Sequence, residues 1–376
     1  MNKILSVAIA ASVAALTASC APSTGDTASS VSVADAEYYT QLQGQDVSIN
    51  VYNWGEYIPD SSEDGVIDIN DEFTALTGIK VNYTTYATNE ELYAKLQGGG
   101  TSYDIIIPSD YMISRMIKED MLEPLDMESI PNYKNIMEKF RHDEYDPDSK
   151  YSVPYLWGTV GIIYDNTVIE DGSDMDWDIL WDEKYAGDIL MFDNPRDAFA
   201  IAETLLGYDL NTESDAELEA AAEKLREQKS VVQAYVMDEI FDKMGAQEAV
   251  LAPYYAGDAV TLMDDYDHLS FTVPKSGTNL FVDAVCIPKG CKNKLAAEMY
   301  INFLCEADIA YAITDYVGYS TPNSLAYDML DDDVKNDGIS YPDDEFIASR
   351  TTVFRNLSDE ANKKMQDLWT DMKSAE

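Results

Sequence analysis

Residues 79–110 read IKVNYTTYATNEELYAKLQGGGTSYDIIIPSD, and this stretch decides the fold. Ile79, Val81 and Tyr83 alternate with polar residues, the period of two that a half-buried strand requires. Glu90 to Gln97 predicts a short helix opened by Asn89 and closed by Gly98-Gly99-Gly100. Tyr103 to Ile107 is an apolar strand ended by Pro108, and a further helix starts at Asp110, where Ser109 or Asp110 could cap it. Strand, helix, strand, with the second strand apolar, is a parallel unit covered on both faces. Just upstream, Val47, Ile49 and Val51 alternate in the same way, and a helix ending Phe73–Thr77 is stopped by Gly78.

Downstream the habit repeats. Val160 to Tyr164, Asp188 to Phe192, Ala249 to Tyr255, Phe271 to Pro274 and Ala284 to Pro288 read as strands. Thr212 to Glu227 reads as a helix with Thr212 and Asp215 in capping-box positions and Leu218, Ala221, Ala222 and Leu225 on one face. Lys294 to Leu304 and Asp359 to Met372 read as helices too. A chain of 376 residues without internal repeats fits two α/β lobes, whose ligands sit beyond the carboxyl ends of strands.

The composition narrows the function. With 25 Lys and Arg against 70 Asp and Glu, the formal charge is −45, the reverse of what nucleic-acid or anionic-lipid binding needs. A small cation would be drawn to such a surface. His142 and His268 are the only histidines, too few for a His-rich metal site. Gly98-Gly99-Gly100 is not followed by Gly-Lys-Ser/Thr, so it is no phosphate loop. The acidic runs Asp64 to Glu72 and Asp331 to Asp333 lack EF-hand spacing and read as solvated loops.

At the start, Lys3, the apolar run Ile4 to Leu16 and Thr17-Ala18-Ser19-Cys20 form a secretory signal, too short to span a membrane. Cys20 after small residues resembles a bacterial lipobox, which implies cleavage before it and lipid attachment to it; plain secretion is the alternative. Residues 20–46 read as a lipid-anchored flexible tether. Cys286, Cys291 and Cys305 read as small buried hydrophobes, with a Cys286–Cys291 bridge as the alternative.

Six segments at strand ends or turns place aromatic rings beside carboxylates or hydroxyls. They are Asn53-Trp54-Gly55-Glu56-Tyr57, Pro108-Ser109-Asp110-Tyr111, Asp193-Asn194-Pro195-Arg196-Asp197, Tyr254-Tyr255-Ala256-Gly257-Asp258, Phe281-Val282-Asp283 and Val317-Gly318-Tyr319-Ser320-Thr321-Pro322-Asn323. Rings supply cation–π contact and carboxylates charge-assisted hydrogen bonds, so such loops could enclose an amine. Singly, each is equally a packed ring beside a solvated charge, and Asn194, Pro195 and Asp197 also suit a helix start.

Together with Tyr151-Ser152-Val153-Pro154-Tyr155-Leu156-Trp157-Gly158, these segments resemble the spermidine/putrescine-binding proteins of bacterial ABC transporters, from about residue 47 onward. The resemblance implies a two-lobed periplasmic-binding-protein (type II) clamp, each lobe a mainly parallel sheet flanked by helices. Residues 47–155 plus 283–325 would form lobe 1, and 156–282 plus 326–376 lobe 2. Carried over by position, Trp54, Glu56, Tyr57, Ser109, Tyr111, Asp197, Tyr255, Asp258, Phe281, Asp283 and Tyr319 would hold a polyamine, with Asp283 gripping an ammonium. Three positions depart: Asn194 stands where spermidine-preferring members carry a carboxylate, and Arg355 stands near their Gln and is expected to pair with an acid or point outward. Tyr255 also replaces a Trp. No cofactor, metal or catalytic residue is implied. The expected partners are a polyamine and an ABC permease with its cytoplasmic ATPase, the protein being a monomer tied to the membrane by its lipid alone. Rival readings are the same fold for another cationic or small polar ligand, a surface hydrolase, and a structural or sensory surface protein.

Overall fold

In a computed structural model, residues 31–61, 65–99 and 102–374 are described. Ten strands occur among them: β1 (Ser48–Trp54), β2 (Lys80–Tyr86), β3 (Ile105–Ile106), β4 (Ser152–Asp165), β5 (Ile189–Phe192), β6 (Val232–Val236), β7 (Leu251–Tyr255), β8 (Leu269–Thr272), β9 (Thr278–Cys286) and β10 (Thr351–Val353). They run in the order β2-β1-β3-β9-β4-β7-β5-β6, with β10 beside β9 and β8 beside β4. β1 is parallel to β2 and β3, and β5 is parallel to β6 and β7. These two parallel wings are the expected architecture. Between them lies an antiparallel pair, β4 with β9, which the sequence reading did not anticipate.

β4 changes partner midway. Ser152 to Thr159 pair with β9, whereas Val160 to Asp165 pair with β7 and β8. All 14 of its residues and all nine of β9 are buried, which is why both strands read as apolar runs without alternation. The register slips between Pro154 and Leu156, where proline has no N–H to give the ladder. The sequence reading caught only the second half of β4 and the end of β9 because burial on both faces erases the period of two.

Local chemistry explains the helix starts that bear on the site. Asp68 caps Ile69–Thr77, and Gly78 closes that helix in the left-handed region at φ 78°. Asn194 accepts a bond from Arg196 N and Pro195 fills the first helical position of Pro195–Leu206. Asp110, fully buried, accepts from Tyr111 N at 2.6 Å and from Val282 N at 3.1 Å, pinning the start of helix Asp110–Lys118 to β9.

Four expectations need correcting. Helix Asn89–Gly98 is capped by Thr88, leaving the Asn89 amide for Ser109. Ser109 makes no side-chain cap to its helix. Helix Asp215–Gln228 has Ser214 at its cap position and no capping box; Thr212 instead bonds Glu217 and accepts from Ser214 N. The tether expected over 20–46 is docked in its second half. Tyr39 is buried, donates to Glu306 Oε1 at 2.9 Å and accepts from Asn302, while Ala34 N donates to the other Glu306 oxygen. An apolar ring with a satisfied hydroxyl outweighed the polar composition around it. The leader and Cys20 lie outside the described residues. Cys286, Cys291 and Cys305 are free thiols, so the alternative bridge is absent.

Candidate functional site

Ligand sites in open α/β sheets form beyond the carboxyl ends of parallel strands, and such ends converge here from both wings. β1 leads into Trp54, Glu56 and Tyr57, β2 ends at Tyr86, and the loop after β3 carries Ser109 and Tyr111. From the other wing β5 leads to Asn194 and Asp197, β6 to Met237 and Asp238, and β7 to Tyr254, Tyr255 and Asp258. β9 passes between them and turns Asn279, Phe281 and Asp283, spaced by two, to one side. With Tyr319 these residues line a cavity of about 680 Å³, its mouth included. The structure thus brings together all eleven residues carried over from the resemblance, and Asn194 with them. Arg355 lies elsewhere: its Nε pairs with Glu144 at 3.3 Å, both side chains mostly exposed.

The walls are held by close packing. Trp54 Nε1 and the Tyr86 hydroxyl both donate to the Ile107 carbonyl, at 2.8 and 2.7 Å, with the rings 4.6 Å apart. Tyr57 and Tyr319 meet edge to face at 4.8 Å, as do Tyr255 and Phe281 at 5.5 Å. A Cβ at Gly257 would lie 2.0 Å from the Tyr319 ring, so glycine is needed for the ring to seat. Glu56 holds φ 45°, a conformation that L-residues rarely adopt.

Carboxylates stand along the cavity, each facing a phenol. Asp283 Oδ2 accepts from the Tyr57 hydroxyl at 2.6 Å, and its buried Oδ1 has no partner. Asp197 Oδ2 accepts from the Tyr255 hydroxyl at 2.8 Å and from the Asn194 amide at 2.7 Å. Asp258 Oδ2 accepts from the Tyr319 hydroxyl at 2.8 Å. Burial pushes Asp283 up to about 6, against the pull of hydroxyls from Ser109 and Tyr57. Burial raises Asp197 to about 7, against the pull of the Tyr255 hydroxyl and the Arg196 charge, with the charges of Glu90 and Asp283 adding to the shift. Burial raises Asp258 to about 8, helped by Asp238 and Glu56. These neighbours mark two ends, Asp258 beside Glu56 and Asp238, and Asp197 beside Glu90, with Asp283 completing the set.

Among the described lining residues there is no Lys or Arg. Acids whose burial disfavours the charged form can receive ammonium groups, and the aromatic faces between them can stack on the carbon chain joining those groups. No group of three or more His, Cys, Asp and Glu able to hold a metal occurs among the described residues. Tyr254, part of a candidate segment, also lines the cavity, as do Tyr86, Asn89, Met237, Asp238, Phe241, Asn279 and Phe354, which were missed. Asn279 was findable from the spacing of Phe281 and Asp283. Met237 and Asp238 follow β6, whose alternating Val232, Ala234 and Val236 were a signal left unread.

Comparison with known proteins agrees with this geometry. A family model described as bacterial extracellular solute-binding protein matches residues 101–350. The spermidine/putrescine-binding periplasmic protein of Escherichia coli (strain K12) is 35% identical over 297 residues, 79% of this chain and 83% of that protein. The putrescine-binding periplasmic protein SpuD of Pseudomonas aeruginosa is 30% identical over 346 residues, 87% of this chain and 92% of that one. A solved structure from Listeria monocytogenes, described as a spermidine/putrescine ABC transporter, superposes with a TM-score of 0.82 at 36% identity, covering 87% and 99% of the two chains.

Proposed function

The chain belongs to the bacterial extracellular solute-binding proteins, and from that premise we propose that it captures a polyamine, putrescine or spermidine, and delivers it to an ABC permease. The observation that carries the reading is the cavity's inventory: three buried carboxylates whose burial disfavours their charge, each facing a phenol, between aromatic walls with no basic residue among the described lining residues. A polyammonium ion satisfies all of these at once. The ligand is held and released without chemistry on it.

Each wing supplies part of the site, so a bound polyamine bridges them and favours the state in which both touch it. Bending would fall where β4 exchanges β9 for β7, at Thr159 and Val160, and in β9 beside it. We place the lobe boundary there, a few residues beyond 155. The crossing proposed at 325 belongs later, because Tyr341 accepts from Thr321 N at 3.0 Å and Ser320 bonds the Ser340 carbonyl. No described helix is long and apolar enough to cross a membrane. We assign attachment to a lipid on Cys20, a permease with a cytoplasmic ATPase as the receiving partner, and a monomeric working state.

The test is calorimetric titration of refolded, ligand-stripped protein with putrescine, cadaverine, spermidine, spermine and 1,4-butanediol. At pH 8, saturable binding of one or two amines and far weaker binding of the diol are expected. Asp283→Asn, which keeps a partner for the Tyr57 hydroxyl while removing the charge, should weaken that binding at least thirtyfold, about 2 kcal/mol. Folded protein that ignores every amine, or an Asp283→Asn variant that binds normally, refutes the reading.

A further inference from the structure

The loops after β1 and β6 come from opposite wings and meet at the cavity mouth. A Cβ built on Gly55 would fall 2.5 Å from Asp238 Oδ2 and 3.5 Å from its Cγ, so the carboxylate occupies the space a side chain at residue 55 would take. Asp238 stands at the start of helix Glu239–Gly245, a position where Asp ordinarily caps, yet its side chain makes no capping bond. The carboxylate accepts from the Tyr254 hydroxyl instead, and both residues line the cavity together with Glu56 and Asp258.

We propose that Asp238 is a further ligand-holding residue, a carboxylate that reaches from the β6 loop to the same ammonium group as Asp258 of its own wing and is seated there by the absent side chain of Gly55 on the opposite one. The inference rests on the polyamine reading and extends it. An ammonium carries three N–H donors and can satisfy several oxygens together, whereas a neutral hydroxyl offers one. Burial raises Asp258 and the charges of Asp238 and Glu56 add to the shift, so positive charge brought to this end of the cavity relieves repulsion among the three acids. Asp258 lies deep and Asp238 is exposed at the rim. The first therefore receives the ligand, and the second closes over it from the rim of the same wing.

The experiment is titration of spermidine and of putrescine into the whole mature protein, the Asp238→Asn and Gly55→Ala variants, their double variant, and Asp242→Asn as a nearby exposed-charge control. Asp238→Asn and Gly55→Ala should each weaken the tighter ligand about tenfold, the worth of one charge-assisted hydrogen bond at a rim. Because they disable the same contact, the double variant should bind no more weakly than the weaker single one. Asp242→Asn should stay within about twofold, since an exposed charge off the cavity contributes only a screened field. Unchanged affinity in either single variant, losses that multiply, or an equal loss from Asp242→Asn overturns the proposal while leaving the polyamine reading intact. Failure of the unaltered protein to bind either amine sinks both.

Discussion

Polyamine capture should expel protons, and the number follows from the three buried acids. Asp283, Asp197 and Asp258 rise to about 6, 7 and 8 in the empty cavity. At pH 7 they would together hold about 1.5 protons, nearly all on Asp197 and Asp258. An ammonium beside each favours the ionised form, so those protons leave as the ligand enters. By linkage, affinity should rise about thirtyfold between pH 6.5 and 7.5 and level off above about pH 9. The amines do not cause the slope, because alkylammonium groups stay charged until about pH 10. Protein stability runs the other way. An acid whose folded value lies above its unfolded one stabilises the fold at low pH, and that stability is lost as pH rises from about 4 through 6 to 8. The thermal shift produced by ligand should therefore grow with pH. Calorimetry in two buffers of different ionisation heat counts the protons. A count near zero, or an affinity flat from pH 6 to 8, would mean that the carboxylates are already ionised in the empty cavity and that ligand entry displaces no protons, which refutes the reasoning.

Gly257→Ala drives a methyl group to 2.0 Å from the Tyr319 ring, so overpacking of about 1–3 kcal/mol should appear in urea unfolding, with weaker polyamine binding as the Tyr319–Asp258 bond is displaced. Arg355→Ala should leave affinity within about twofold, because its guanidinium is solvent-exposed beside Glu144 and exposed pairs contribute little. Tyr39→Ala removes a fully buried ring whose hydroxyl is bonded at both ends and should cost about 3–5 kcal/mol in the same unfolding assay; a cost under 1 kcal/mol would mean the segment is a tether after all.

What the sequence disclosed and what it hid have physical causes. β1 and β2 were legible because one face is buried and one is not, leaving the period of two in Ile49, Val51, Val81 and Tyr83. Helix ends were legible where backbone geometry demands a residue type, as at Gly78 and at Asn194-Pro195. β4 and β9 were half hidden because total burial removes alternation, and so the antiparallel pair joining the wings went unseen. Three capping assignments failed because Asn, Ser and Thr side chains bond whichever partner the folded chain brings near: Asn89 and Ser109 found each other beyond the ends of β2 and β3, and Thr212 found Glu217. The site was legible mainly through resemblance. Rings and acids at strand ends are common, and that six such segments share one cavity depends on the strand order, which local sequence does not carry.

The same acids decide what the cavity refuses. An empty site lined by Asp197, Asp258 and Asp283 avoids buried charge by keeping protons, a state that a neutral diol of putrescine's length could also accept, donating and receiving hydrogen bonds without moving a charge. Such a diol would lose nothing at low pH and would be penalised as pH rises, because each deprotonation leaves an unpaired buried anion beside it. The diamine meets the opposite gradient: protons obstruct it at low pH and their loss completes its partners. Discrimination between amine and diol is therefore not a constant of the cavity's shape but a quantity that widens from pH 6 to pH 8. Competition of 1,4-butanediol against putrescine at those two values measures it. An amine preference equal at both would assign selectivity to shape and leave the buried carboxylates no part in it.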